Sequence, residues 1–128
     1  MSHGPLVLIV DDNDRNRKLV RDVLQWAGFR TLEAATAGDA IALASEHLPD
    51  VVLMDLRLPD ADGTDAVRVL KATRRTAGIP VVAVTAVPLD AREGWLLEAG
   101  FVGYIAKPID VGRLPGQLAS FLPPAGVA

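Results

Sequence analysis

The sequence predicts an α/β domain in which a parallel sheet is covered by helices on both faces, a three-layer sandwich. Three observations carry this. Short β-branched apolar runs recur along the 128 residues, longer amphipathic stretches separate them, and Gly or Pro marks most of the junctions. The length suits one core, since compact domains commonly run about 100–150 residues. The chain is therefore expected to be a single domain with its core over residues 6–122 and a short tail at 123–128.

The elements follow in order. Leu6 to Val10 is a near-continuous apolar run, as expected of a parallel strand buried on both faces. Asp14 to Ala27 then places Leu19, Val20, Val23, Leu24 and Ala27 on one helical stripe, and Gly28 closes it as a C-terminal cap. Phe29 to Ala34 is more mixed and suits a sheet edge. Ala37 to Leu48 is a second helix that ends before Pro49. Val51 to Met54 is a third strand, and Thr64 to Arg75 a helix carrying Val67, Leu70 and Lys71 at helical spacing, with Gly78 and Pro80 beyond it. Val81 to Val84 is the fourth strand, Leu89 to Ala99 the fourth helix, and Val102 to Ala106 the other edge strand. Val111 to Leu122 supplies the last helix, with Pro115 near its start and Pro123-Pro124 beyond it.

Composition removes several functions. A formal net charge of −3 argues against a basic face for nucleic acid, and the absence of cysteine excludes disulfides, thiolate nucleophiles and Cys-based zinc sites. No apolar segment reaches the length of a membrane span, and no basic leader with a following apolar stretch opens the chain, so a cytoplasmic protein is expected.

Strict β/α alternation implies right-handed crossovers, and ligands of such sheets gather at the carboxyl ends of the strands. The residues ending the apolar runs are Asp11 and Asp12, Asp55, Thr85 and Lys107. Three carboxylates in one mouth repel each other unless a hard cation or an ammonium offsets them. Mg2+ fits, because it takes oxygen ligands and commonly pairs one or two carboxylates with phosphate oxygens. Asp55, alone at the end of a central strand, is the candidate nucleophile toward a phosphoryl group, with Thr85 and Lys107 placed to bind phosphoryl oxygens and Ala86 leaving the approach open.

The set VDD at 10–12, MDLRLPDADG at 54–63, TA at 85–86 and YIAKP at 104–108 resembles the receiver domain of two-component response regulators, over residues 6 to about 122. The opening DDNDRNRKL is similar to that of stand-alone receivers and of hybrid-kinase receivers. The resemblance implies a flavodoxin-like fold, a doubly wound (βα)5 sandwich with strand order 2-1-3-4-5. It implies that Asp55 takes phosphoryl from a histidine kinase or histidine phosphotransfer protein, and that Asp11, Asp12, Asp55 and the Arg57 backbone carbonyl hold Mg2+. It implies a cis peptide before Pro108 and a switch in which Thr85 moves toward the phosphoryl group and Tyr104 rotates into the space vacated. Such a domain is a phosphoacceptor more than an enzyme, signalling to a downstream protein through the face formed by the fourth helix, fifth strand and fifth helix.

Candidate contacts follow. In the resemblance the first helix docks the kinase, which draws in Arg15 and Asn16. With Leu89, Leu96 and Ala99 facing the sheet, Trp95 and Leu97 lie about 100° to either side of Leu96, so at least one is expected to face solvent. Exposed there, Trp95 and Leu97, with Leu89 at the edge of the same helix, would suit a partner or homodimer surface; the alternative is a wider buried stripe. Two rival functions are a phosphorylation-independent interaction module, and a Mg2+-dependent phosphohydrolase with an aspartyl nucleophile. The latter needs a second aspartate two residues beyond the nucleophile, where Arg57 stands.

Overall fold

The computed structural model describes residues 4–86 and 93–122. Its elements alternate as β1 (Leu6–Val10), α1 (Asp14–Trp26), β2 (Arg30–Ala34), α2 (Ala37–His47), β3 (Val51–Asp55), α3 (Gly63–Ala72), β4 (Val81–Thr85), α4 (Glu93–Ala99), β5 (Gly103–Ala106) and α5 (Leu114–Ala119). The strands form one sheet in the order β2-β1-β3-β4-β5, and every neighbouring pair is parallel. This is the expected flavodoxin-like arrangement, with the switch in strand order falling between β1 and β3.

Alternation along the strands divides the core in two. Leu8, Val10, Val52, Met54, Val81 and Ala83 face one side, where α2, α3 and α4 cover them with Ala40, Ala44, Val67, Leu70 and Leu96. Val7, Ile9, Val51, Leu53, Val82 and Val84 face the other, against Val20 and Leu24 of α1 and Leu114 and Leu118 of α5. The three central strands are buried on both faces, which is why they read as unbroken apolar runs.

Several boundaries depart from the periodicity, each for a local reason. The α1 stripe is narrower than expected: Leu19 is 49% exposed, and Ala27 lies past the helix end, in front of the positive-φ Gly28. Helix α3 stops at Ala72 rather than Arg75, because the Thr73 hydroxyl donates to the Val69 carbonyl and the buried Thr76 hydroxyl to that of Leu70, while Lys71 Nζ takes the Ala77 and Ile79 carbonyls. Residues 111–113 form a turn, with Asp110 Oδ1 accepting from Gly112 N at 3.0 Å, so α5 begins one residue before Pro115. There the missing proline N–H costs no helical bond.

Candidate functional site

The carboxyl ends of β1, β3 and β4 and the segment after β5 open into one cleft of about 570 Å³ lined by Asp11, Asp12, Asn13, Asn16, Asp55, Leu56, Arg57, Thr85, Ala86 and Lys107. The five strand-end residues picked out in the sequence therefore meet in space. Carboxylate oxygens of Asp11, Asp12 and Asp55 lie within 4.8 Å of one another. Asp11 and Asp55 are buried, Asp12 is exposed, and Thr85 is buried at the end of β4.

Two donors hold the Asp55 carboxylate. Arg57 N donates to Oδ1 at 2.9 Å, and Lys107 Nζ to Oδ2 at 2.8 Å. The Lys107–Pro108 peptide is cis. Asp11 accepts from Asn13 N at 2.8 Å, and Asn13 in turn caps α1 by accepting from Asn16 N. Burial pushes the Asp11 carboxyl above its ordinary value, the Asn13 N–H opposes this, and the Asp55 charge adds to it.

Helix α3 approaches Asp55 closely because its first residue is glycine. A Cβ on Gly63 would lie 2.6 Å from the Asp55 carbonyl oxygen and 2.9 Å from Leu56 Cα.

One neighbour of the site, Arg17, is not evident from the sequence. Helical periodicity assigns Arg17 to the solvated face of α1, but its guanidinium bonds Glu33 of β2 at 3.1 Å, Asp14 at 2.7 Å and the Asp11 backbone carbonyl at 2.9 Å. These partners hold its charge more firmly than burial opposes it. Helical periodicity carries no signal for such a contact, although Asp14 three residues earlier is a recognisable partner.

Among the candidate contact residues, Arg15 is exposed and Asn16 lines the cleft. Trp95 and Leu97 are both exposed, at 38% and 60%, while Leu96 between them is buried, so the fourth helix buries a narrow stripe. Leu89 lies outside the described residues. Tyr104 on β5 is 37% exposed. Among the described residues no helix is long and apolar enough to cross a membrane.

The model of the response regulator receiver domain matches residues 7–119. The chain belongs to this family. The polar-differentiation response regulator DivK of Brucella ovis is 39% identical over 116 residues, which cover 91% of this chain and 94% of that protein. Among solved structures, the chemotaxis response regulator CheY4 of Vibrio cholerae superposes with a TM-score of 0.88 at 26% identity, covering 93% of this chain and 99% of that one. The receiver domain of a sensor histidine kinase from Pseudomonas aeruginosa, with magnesium coordinated in its active-site cleft, matches at a TM-score of 0.83 and 32% identity over 92% of this chain and 97% of that one. This chain is thus a two-component receiver whose acidic cluster fits a phosphoacceptor site.

Proposed function

We propose that Asp55 is the phosphoacceptor and that Mg2+ is held by Asp11, Asp12, Asp55 and the Arg57 backbone carbonyl. The donor set supports this, being all oxygen with three carboxylates within reach of one ion. Bound there, Mg2+ would neutralise charge on the incoming phosphoryl oxygens.

The donor is a phosphohistidine on a sensor kinase or phosphotransfer protein. A carboxylate oxygen of Asp55 attacks phosphorus; the new O–P bond replaces the P–N bond, whose electron pair returns to the imidazole. Lys107, already on Asp55, passes to a phosphoryl oxygen as charge develops, and the Thr85 hydroxyl donates to another. Ala86 is exposed at the cleft and leaves room for the entering group. Arg15 and Asn16, at the mouth end of α1, meet the donor protein.

Phosphorylation then acts as a switch. Thr85 moves toward the phosphoryl group, Tyr104 turns inward, and the α4–β5–α5 face with Trp95 and Leu97 changes its affinity for a downstream protein or a second copy of the chain. The protein is a cytoplasmic phosphoacceptor that contributes groups to its own phosphorylation and dephosphorylation and does not turn over a separate substrate.

The Asp55–Lys107 pair within the three-carboxylate cluster is the observation that carries this reading. Intact-mass spectrometry after incubation with acetyl phosphate tests it. The expected result is one phosphoryl adduct that needs Mg2+ and is absent from Asp55→Asn. Failure to form it with either acetyl phosphate or histidine kinases, in a folded protein, would overturn it in favour of a phosphorylation-independent interaction module.

A further inference from the structure

We propose that Asp60 is a positioning residue for the metal site: its carboxylate latches the β3–α3 loop onto the N-terminus of α2 and so holds the Arg57 backbone where a divalent cation uses it. This rests on the phosphoacceptor reading above.

The loop leaves the sheet directly after Asp55 and ends at Gly63, where α3 begins. Its two ends are tied to each other, by an antiparallel bridge between Arg57 and Asp62 and by Gly63 N donating to the Leu56 carbonyl at 2.9 Å. Leu58 and Ala61 rest partly buried against the core, a contact without direction. The directional restraint on the tip is Asp60, whose Oδ1 accepts from Ala37 N at 2.8 Å and Oδ2 from Gly38 N at 3.0 Å. Two fixed N–H groups of a helix first turn set both the place and the plane of the carboxylate. They also hold its carboxyl below the ordinary value, as expected of a carboxylate bound in its charged form.

The same helix end supplies matched controls. Thr36 caps α2 from within, its Oγ1 accepting from Asp39 N at 3.1 Å, and it has no bond to the loop. Asp39 places a carboxylate in the same first turn, again with no bond to the loop. Helix stability, local charge and loop position can therefore be separated.

The test is calorimetric titration of the intact protein with MgCl2, with a thermal melt of each variant. For Asp60→Ala the Mg2+ Kd is expected to rise roughly tenfold, the low end of what groups that orient metal ligands contribute. Asp60→Asn, which keeps one acceptor, falls between and keeps the test open should the alanine variant not fold. Thr36→Ala and Asp39→Asn keep the wild-type Kd even where the melt shifts. A wild-type Kd in Asp60→Ala would overturn the proposal, as would an equal loss in Thr36→Ala, which assigns the effect to helix stability, or in Asp39→Asn, which assigns it to charge. A wild-type protein that binds no Mg2+ would instead overturn the phosphoacceptor reading.

Discussion

Lys107 Nζ donates to Asp55 Oδ2 at 2.8 Å across 52 positions of sequence, joining the end of β5 to the end of β3. The ammonium is a ready partner for a second anion arriving at the same place. Lys107→Ala is expected to slow acetyl phosphate labelling of Asp55 by about a hundredfold, the range found when one charge-stabilising donor is removed from a transition state. Lys107→Arg should recover little, since a planar guanidinium does not replace a point charge in this geometry. Labelling rates by intact mass check both, and a wild-type rate in Lys107→Ala would remove the residue from the chemistry.

Asp11 is buried beside Asp55, so its charge is costly until a cation arrives. Asp11→Asn keeps an oxygen for the Asn13 N–H and removes that cost. The melting temperature without metal at pH 7 is expected to rise by about 4 °C, equivalent to roughly 1 kcal/mol for a domain of this size. The Mg2+-dependent rise in melting temperature expected of the wild type should shrink or vanish in the variant. A lower melting temperature for Asp11→Asn without metal would refute the argument.

Asp60 sets a signature on the acid side. Its carboxyl is held below its ordinary value by two backbone N–H bonds to α2. Its contribution is therefore fully present above the unfolded-state value and is lost as pH falls through the lower folded-state value. Wild type should exceed Asp60→Ala in stability at pH 6, and the difference should shrink as pH falls below the ordinary carboxyl range. Urea melts across that range measure it, and a difference independent of pH would assign the effect to packing alone.

Much of the site was legible because the β/α repeat marks the strand ends, and Asp11, Asp12, Asp55, Thr85 and Lys107 are what those ends carry. The division of the core was legible too, through the unbroken runs of β1, β3 and β4. Contacts made by side chains reaching off their own element were not. Asp60 reaches helix α2 across 23 positions, and Arg17 reaches the Asp11 carbonyl from a face that periodicity assigns to solvent. Trp26, 92% exposed at the end of α1, shows the converse, since residue type gave no hint of its position. The start of α5 depends on the Asp110 turn, a local hydrogen bond that competes with helix.

Two glycines, one opening α3 and one near the start of α4, should respond in opposite directions to replacement. Gly63→Ala places a Cβ against the backbone of Asp55 and Leu56, which cannot rotate away. A loss of about 1–3 kcal/mol is expected from such overpacking, together with slower Asp55 labelling. Gly94→Ala in α4 meets nothing within 4 Å. It should gain about 0.5–1 kcal/mol through helix propensity and label normally. Denaturant midpoints and labelling rates check both; equal effects at the two positions would contradict the contact argument.

Tyr104 and Thr85 lie on adjacent strands near the carboxyl edge of the sheet, Thr85 buried and Tyr104 with 37% of its surface exposed. If phosphorylation draws the Thr85 hydroxyl toward Asp55, the tyrosine ring gains a place to enter, and its burial becomes the readout of the switch. Addition of beryllofluoride with Mg2+, a non-hydrolysing stand-in for the phosphoryl group, should shift the Tyr104 ring resonances and protect the ring from solvent. Thr85→Ala should bind the same ligand and lose the ring response, because the hydroxyl is the link between the two. A Tyr104 ring response that survives in Thr85→Ala would show that the aromatic moves by another route.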